Sequence, residues 1–177
     1  ATVEAKYAGH NDLRDSLHET LRKMYDKLSL FPKARAEGEL LVELRKKTRG
    51  KDHPDTLSAE ADLASVLSRA GQSEEAIPIL ERVLAAQRQL HGPLDRRSMS
   101  TLTTLAQCYR FLDRTKEAAQ LCQKVLPGAM AKYGADDRAV IMLTGNLASA
   151  YHDLGNLAEA ERLYREVIPL WERVAGP

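Results

Sequence analysis

The 177 residues predict an all-α chain of about four helix–turn–helix copies, and three observations carry that expectation. The sequence matches itself at a spacing of 42 residues. Leu63-Ala64, Leu105-Ala106 and Leu147-Ala148 stand in phase; Ala34, Ala76, Ala118 and Ala160 share a second phase, and Gly50, Gly92, Gly134 and Gly176 a third. A fixed period of this length marks stacked repeats, because one copy cannot bury its apolar face alone. Within each copy, apolar residues recur at helical spacing. Only two Phe and one Trp accompany abundant Leu and Ala, which favours helix over strand.

The copies run approximately over 11–52, 53–94, 95–136 and 137–177. Helices are expected at 12–28 and 32–49, at 54–70 and 73–90, at 95–112 and 115–132, and at 137–154 and 157–174. In the second copy, Leu63, Ala64, Leu67 and Ala70 form one stripe, and Ala76, Ile77, Leu80, Val83 and Leu84 form the next. The connection Gly71-Gln72-Ser73 is short, so the two helices must be antiparallel neighbours. Asn11, His53, Asp95 and Asp137 share the phase just before each first helix; the Asn and the two Asp are good N-cap residues, and His is the exception. Pro54 stands where its missing N–H costs nothing. The in-phase glycines suit a helix end that needs a left-handed residue. Pro78, Pro127 and Pro169 fall inside second helices and should bend them. Pro127-Gly128 together could end its helix early, and Gly145 sits inside a first helix at about 1 kcal/mol relative to Ala. The first copy departs most, with Arg22 where the others carry Ala.

Composition narrows the functional classes. The chain has 26 basic and 25 acidic residues, so no electrostatic reason favours nucleic acid or an anionic membrane. No apolar run approaches the roughly 18 residues a membrane span needs. Two cysteines build no disulfide framework.

The pattern Leu-Ala-x-x-Tyr-x-x-Leu-Gly-x-x-x-Glu-Ala, from Leu147 to Ala160, resembles the tetratricopeptide repeat. The 42-residue period and the junction Gly50-Lys51-Asp52-His53-Pro54-Asp55-Thr56-Leu57 are similar to its kinesin-light-chain-like form. The resemblance implies an α-α superhelix whose first helices line a concave groove, a binding scaffold for peptides or protein segments. It implies no catalytic residues. Asp113 replaces the turn glycine of the third copy, and Asn of the Asn-Leu-Ala tripeptide occurs only at Asn146.

On that groove face the first helices carry Lys23, Asp62, Arg69, Gln107, Arg110, Asn146, Ser149 and His152. Small polar side chains there can hydrogen-bond an extended backbone without crowding it, and Arg69 and Arg110 could pair with ligand carboxylates. Acidic Glu19 and Asp62 stand where a two-carboxylate clamp needs neutral or basic groups, so a C-terminal Glu-Glu-Val-Asp peptide is not an expected ligand.

Other signals read more plainly as structure. Cys108 and Cys122 fall at core phases, and the histidines at 10, 18, 53, 91 and 152 share no ligand spacing, so no metal or cofactor is expected. The run Arg45, Lys46, Lys47, Arg49, Lys51 closes a helix, where cations complement the dipole. His53-Pro54-Asp55 matches the tripeptide of J-domains but opens a repeat helix. Both ends look cut: Ala5-Lys6-Tyr7 repeats Ala131-Lys132-Tyr133, and Gly176 falls where a further copy would begin. An internal piece of a longer cytoplasmic protein is therefore expected. Two alternatives to peptide binding stand beside it. One is self-association through uncapped ends bearing Leu170, Trp171 and Val174; the other is a regulatory segment of a signalling enzyme such as a kinase or NTPase.

Overall fold

The computed structural model describes Tyr7 and residues 9–175. These residues form eight α-helices and, among the described residues, no strand: α1 Asn11–Lys27, α2 Phe31–Arg49, α3 Pro54–Arg69, α4 Ser73–His91, α5 Arg96–Phe111, α6 Thr115–Tyr133, α7 Arg138–Asp153 and α8 Leu157–Ala175. They divide into two compact units, residues 1–86 and 87–177, with the boundary inside α4. The expected helices are all present, with ends shifted by one residue at most. Ala5, Lys6 and Gly176, used in reading the chain ends, lie outside the described residues.

The four turns between first and second helices are copies of one hydrogen-bonded geometry. Leu30 N–H donates to the Tyr25 carbonyl at 2.8 Å, Gln72 to Leu67 at 2.9 Å, Arg114 to Tyr109 at 2.8 Å and Asn156 to Tyr151 at 2.9 Å. With the shorter-range bonds from residues 29, 71, 113 and 155, these are Schellman-type turns that satisfy the last carbonyls of each first helix. The geometry puts residue C′ in the left-handed region. Gly71 and Gly155 adopt it freely, whereas Ser29 and Asp113 adopt it at φ 56° and 59°. Asp113 therefore substitutes for glycine without changing the turn.

The return loops repeat as well. Gly50 and Gly134 have φ 93° and 83° with ψ 159° and 163°. That is an extended region open essentially to glycine alone, not the left-handed helical region expected for a helix end. Each loop then opens the next helix with a cap. Asp95 accepts from Arg97 N–H at 3.0 Å and Asp137 from Ala139 N–H at 2.9 Å. The first two positions reverse the sequence reading. His53 is a working cap, its Nδ1 accepting from Asp55 N–H at 3.2 Å. Asn11 is instead the first residue of α1, and its N-cap His10 makes no side-chain cap bond.

The core seam is built on small residues. Ala34, Ala76, Ala118 and Ala160 in second helices and Ala64, Ala106 and Ala148 in first helices are buried, so backbones approach closely while Leu41, Leu57, Leu80, Leu102 and Leu143 fill the space between. The first copy solves the same problem by exchanging sizes. Arg22 is buried at the Ala64 phase, and Gly38 stands where the other copies carry Leu80, Cys122 and Tyr164. A Cβ on Gly38 would lie 3.1 Å from Leu63 Cδ1 and 3.5 Å from Arg22 Cδ. The missing side chain makes room for the arginine stem, whose Nη2 donates to Asp62 Oδ2 at 2.8 Å.

Pro127-Gly128 does not end its helix: α6 runs unbroken from Thr115 to Tyr133. Pro127 is exposed, so water can take the carbonyl it frees. Gly128 has a packing reason, because a Cβ there would meet Leu94 Cδ1 at 3.2 Å and Cδ2 at 3.4 Å. Leu94 is pinned in that notch by Tyr133, whose hydroxyl donates to its carbonyl at 2.7 Å. Cys108 and Cys122 are buried as core residues, and burial pushes the Cys122 thiol up to about 12.

Two measurements check these assignments. Asp95→Ala and Asp137→Ala should each lower unfolding free energy in urea by about 1 kcal/mol, while Asn11→Ala should cost only a few tenths. In a double-mutant cycle, Gly128→Ala should be stabilising by about 0.5–1 kcal/mol in a Leu94→Ala background through helix propensity. It should lose that gain beside the native leucine.

Candidate functional site

The eight groove residues divide between the units, and the structure treats the two groups differently. In the first unit Lys23, Asp62 and Arg69 are all engaged within the chain. Lys23 pairs with Glu19 one turn earlier, and Asp62 receives Arg22. Arg69 pairs with Asp26 of α1, and its guanidinium lies 5.8 Å from the Phe31 ring centre. Desolvation lowers the Arg69 pKa, and the nearby positive charge of Arg22 adds to that. Desolvation likewise raises the Asp62 carboxyl above its usual range, against the pull of Arg22. These residues lock α1 to α3, since Arg22 and Asp26 belong to the first copy and Asp62 and Arg69 to the second. The dense ion pairing continues behind them: buried Arg45 bridges Asp15 at 2.7 Å and Glu19 at 2.6 Å.

In the second unit, Gln107, Asn146 and Ser149 converge on one cleft of about 470 Å³. Asn146 and Ser149 come from α7, Gln107 from α5, and the opposite wall is α8 with Tyr164, Ile168 and Trp171. Gly145 forms part of the floor, and a Cβ there would meet nothing within 4 Å. Ser149 Oγ and the Tyr164 hydroxyl lie 2.8 Å apart. Gln107 and Asn146 make no side-chain hydrogen bond among the described residues, so two amides face an otherwise largely apolar trough. Each can offer a donor and an acceptor to a backbone laid across it.

Arg110 and His152 are not among the residues that line the cleft, and both turn to one carboxylate. Arg110 Nε donates to Asp153 Oδ2 at 2.7 Å, and His152 Nδ1 lies 3.4 Å from Asp153 Oδ1. Desolvation pushes Asp153 up, but the Arg110 hydrogen bond and charge, aided by His152, outweigh it and hold the carboxyl below its usual range. A second hollow of about 370 Å³ lies between α5 and α7, floored by Met99 and Thr103 and flanked by Arg96 and Arg138. Arg96 is held by Asp137 at 2.7 Å and stacks 4.7 Å from the Tyr133 ring centre.

Sequence reasoning did not place Tyr164, Ile168 and Trp171 in the site because it assigned the groove to first helices alone. A signal was present: Tyr164 and Trp171 occupy phases held by Cys122 and Ala129 one copy earlier. An aromatic in place of a small core residue marks a face that is packed differently. Among the described residues, no three His, Cys, Asp or Glu side chains gather as a metal site, and no helix is long and apolar enough to cross a membrane.

The family model of the tetratricopeptide repeat matches residues 24–89, 59–131 and 97–173. The chain therefore belongs to the tetratricopeptide repeat family. The crystal structure of BtubC (BKLC) from P. vanneervenii resembles it at a TM-score of 0.78 and 18% identity, over 94% of this chain and 66% of that one. This chain thus spans slightly under two thirds of that protein's length. A crystal structure of a single-residue variant from Podosopora anserina, a putative kinesin light chain with nearly identical TPR-like repeats, matches at a TM-score of 0.50 and 20% identity, over 94% of this chain and 98% of that one. At these identities the likeness establishes the fold. A search of curated proteins finds no match. Tetratricopeptide repeats are in general protein–protein interaction modules and typically non-catalytic.

The Asp153 pair gives a pH prediction. A carboxyl held below its unfolded value adds stability above the ordinary carboxylate range and loses it as pH falls through the depressed value. Carboxyl titration by NMR should place Asp153 below the ordinary 3.8. Arg110→Gln should move it upward and shrink the acid-dependent part of the unfolding free energy.

Proposed function

We propose that this chain is a non-catalytic scaffold that holds a segment of another polypeptide along the first-helix faces, with the Gln107–Asn146–Ser149 cleft as its principal contact. The observation that carries the reading is the pair of unengaged amides, Gln107 and Asn146, set against the apolar wall of Tyr164, Ile168 and Trp171. Amides at fixed helical positions suit an extended backbone, which presents a donor and an acceptor at every residue. The apolar wall supplies the desolvated anchor that gives such contacts their affinity. Because rigid helices present these groups preformed, the ligand bears most of the ordering entropy.

Lys23, Asp62 and Arg69 have a different role in this reading. They are already paired within the chain, so a ligand would have to displace Glu19, Arg22 or Asp26 to use them. Arg110, one helical turn beyond Gln107 and held by Asp153, is a reserve cation, and His152 shares that carboxylate. The proposed scaffold works in the cytoplasm, and no cofactor enters the mechanism.

Selection from a random peptide library against the immobilised chain, followed by affinity measurement on Gln107→Ala and Asn146→Ala, tests the proposal. Each substitution should weaken the selected peptides about tenfold, the worth of one or two lost hydrogen bonds. Thermal stability should change little for Gln107→Ala, since neither amide makes a side-chain hydrogen bond among the described residues, and Asn146→Ala should lose only the packing of a buried side chain. Undiminished binding by the double variant would remove the cleft from the function.

A further inference from the structure

The second unit holds open a place that the first unit fills with its own charges. The group α1–α2–α3 and the group α5–α6–α7 lie two repeat periods apart, so each position in one has a counterpart in the other. In the first unit, α2 reaches the carboxylates of the flanking first helices. Arg45 holds Asp15 at 2.7 Å and Glu19 at 2.6 Å, and Arg49 holds Asp55 at 2.6 Å. In the second unit all five counterparts are uncharged. Ala129 and Tyr133 stand for the two arginines, and Met99, Thr103 and Ala139 for the three acids. The hollow of about 370 Å³ between α5 and α7 lies here, and no acidic side chain lines it. Its rim is basic, because Arg96 and Arg138 occupy the phases of Asp12 and Pro54. The imbalance extends along the helices: α5 and α7 carry four arginines and one aspartate, whereas α1 and α3 carry five cations and seven acids. Positive charge is thus left on the first helices of the second unit for a ligand to neutralise.

We propose that this hollow binds a phosphoserine or phosphothreonine side chain of the bound polypeptide. Two guanidinium groups facing one cavity repel each other unless an anion joins them. The chain's own nearest carboxylate is already committed. Asp137 gives one oxygen to Arg96 at 2.7 Å and the other to Ala139 N–H at 2.9 Å. Arg138 lies 5.9 Å from the Trp171 ring centre and makes no ion pair among the described residues. Ser100, exposed on the α5 wall, makes no side-chain hydrogen bond among the described residues. A carboxylate has two oxygens, and one guanidinium fork satisfies both. Here donors stand on two walls, Arg96 and Ser100 on α5 and Arg138 on α7. A phosphate monoester brings three oxygens and a charge of about −2 to meet them. The floor of Met99 and Met142 suits the alkyl carbon that carries the ester.

This inference rests on the reading of the neighbouring cleft as a polypeptide site and adds the chemistry of one ligand residue. Met142 lines both the cleft and the hollow, so the two are continuous. Arg138 and Asn146 stand just over two helical turns apart on α7, about 12 Å along the helix. Roughly three or four residues of extended chain span that distance. The phosphorylated residue therefore lies that far to one side of the residues held by Gln107 and Asn146.

Three peptide libraries, randomised except for a central phosphoserine, glutamate or serine, test it against the immobilised full chain. The phosphoserine library should bind about tenfold more tightly than the glutamate library, and the serine library most weakly. The double variant Arg96→Gln, Arg138→Gln should abolish that order and leave retention of the serine library unchanged. Arg138→Gln alone, at an exposed site, repeats the experiment should the double variant lose its helical signal. The Gln107→Ala, Asn146→Ala double variant should weaken all three libraries alike and keep their order, so failure of the cleft and failure of the hollow are read separately. Equal retention of phosphoserine and glutamate means a carboxylate site and overturns the proposal. A phosphoserine preference that survives loss of both arginines also overturns it. No retention of any library overturns it together with the cleft reading.

Discussion

Close approach of helix backbones is the constraint on which the rest of this molecule depends. Alanine at two phases, in first and second helices, removes the side-chain bulk that would hold paired helices apart, and the leucines beside them then fill the narrow space. Close packing of this kind leaves little tolerance for added volume. The first copy shows the tolerance from the other side. It carries Arg22 at an alanine position and is accommodated only because Gly38 gives up a side chain on the facing helix. The same exchange appears at Gly128, where a missing side chain receives Leu94 from the preceding loop. A glycine inside a helix costs about 1 kcal/mol relative to alanine, and in both places a larger neighbour occupies the space.

The two units use this frame for different ends. The first unit is laced with ion pairs among α1, α2 and α3, several of them half-buried. Arg45 is nearly enclosed and satisfied by Asp15, Glu19 and the Asp55 carbonyl, as a buried guanidinium must be. Such a network fixes helix register but spends the charged groups that a ligand would need. The second unit is quieter. Its first-helix face has threonines, amides and a glycine; Arg110 and Ser149 are paired, while Gln107 and Asn146 are left over. The candidate binding surface lies there because, among the described residues, its amides make no side-chain hydrogen bond.

Specific residues show how far the sequence could be read. The helices were legible because helical spacing, short turns and a 42-residue period all pointed to one answer, and agreement across levels is what makes a fold readable. Asp113 could be read as a turn residue because short polar side chains tolerate the left-handed region. His53 as a cap and Asn11 as a non-cap could not. A cap is defined by backbone geometry at one residue, and α1 starts one position earlier than the in-phase helices. Pro127-Gly128 looked like a helix stop because the pair has that meaning locally. Its true role lies in Leu94, more than thirty residues away.

The sequence by itself determined the repeat, the pairing of antiparallel helices, the buried alanine and cysteine phases and the family, since all of these follow from periodicity. Tertiary structure alone decided which polar residues remain available. Lys23, Asp62, Arg69 and Arg110 looked equivalent to Gln107 and Asn146 on a helical projection. Whether a charged side chain is already paired depends on the neighbouring helix and its register. The site therefore became visible only when the helices were set side by side, with one carboxylate within reach of each cation and none of those pairings available to the two amides.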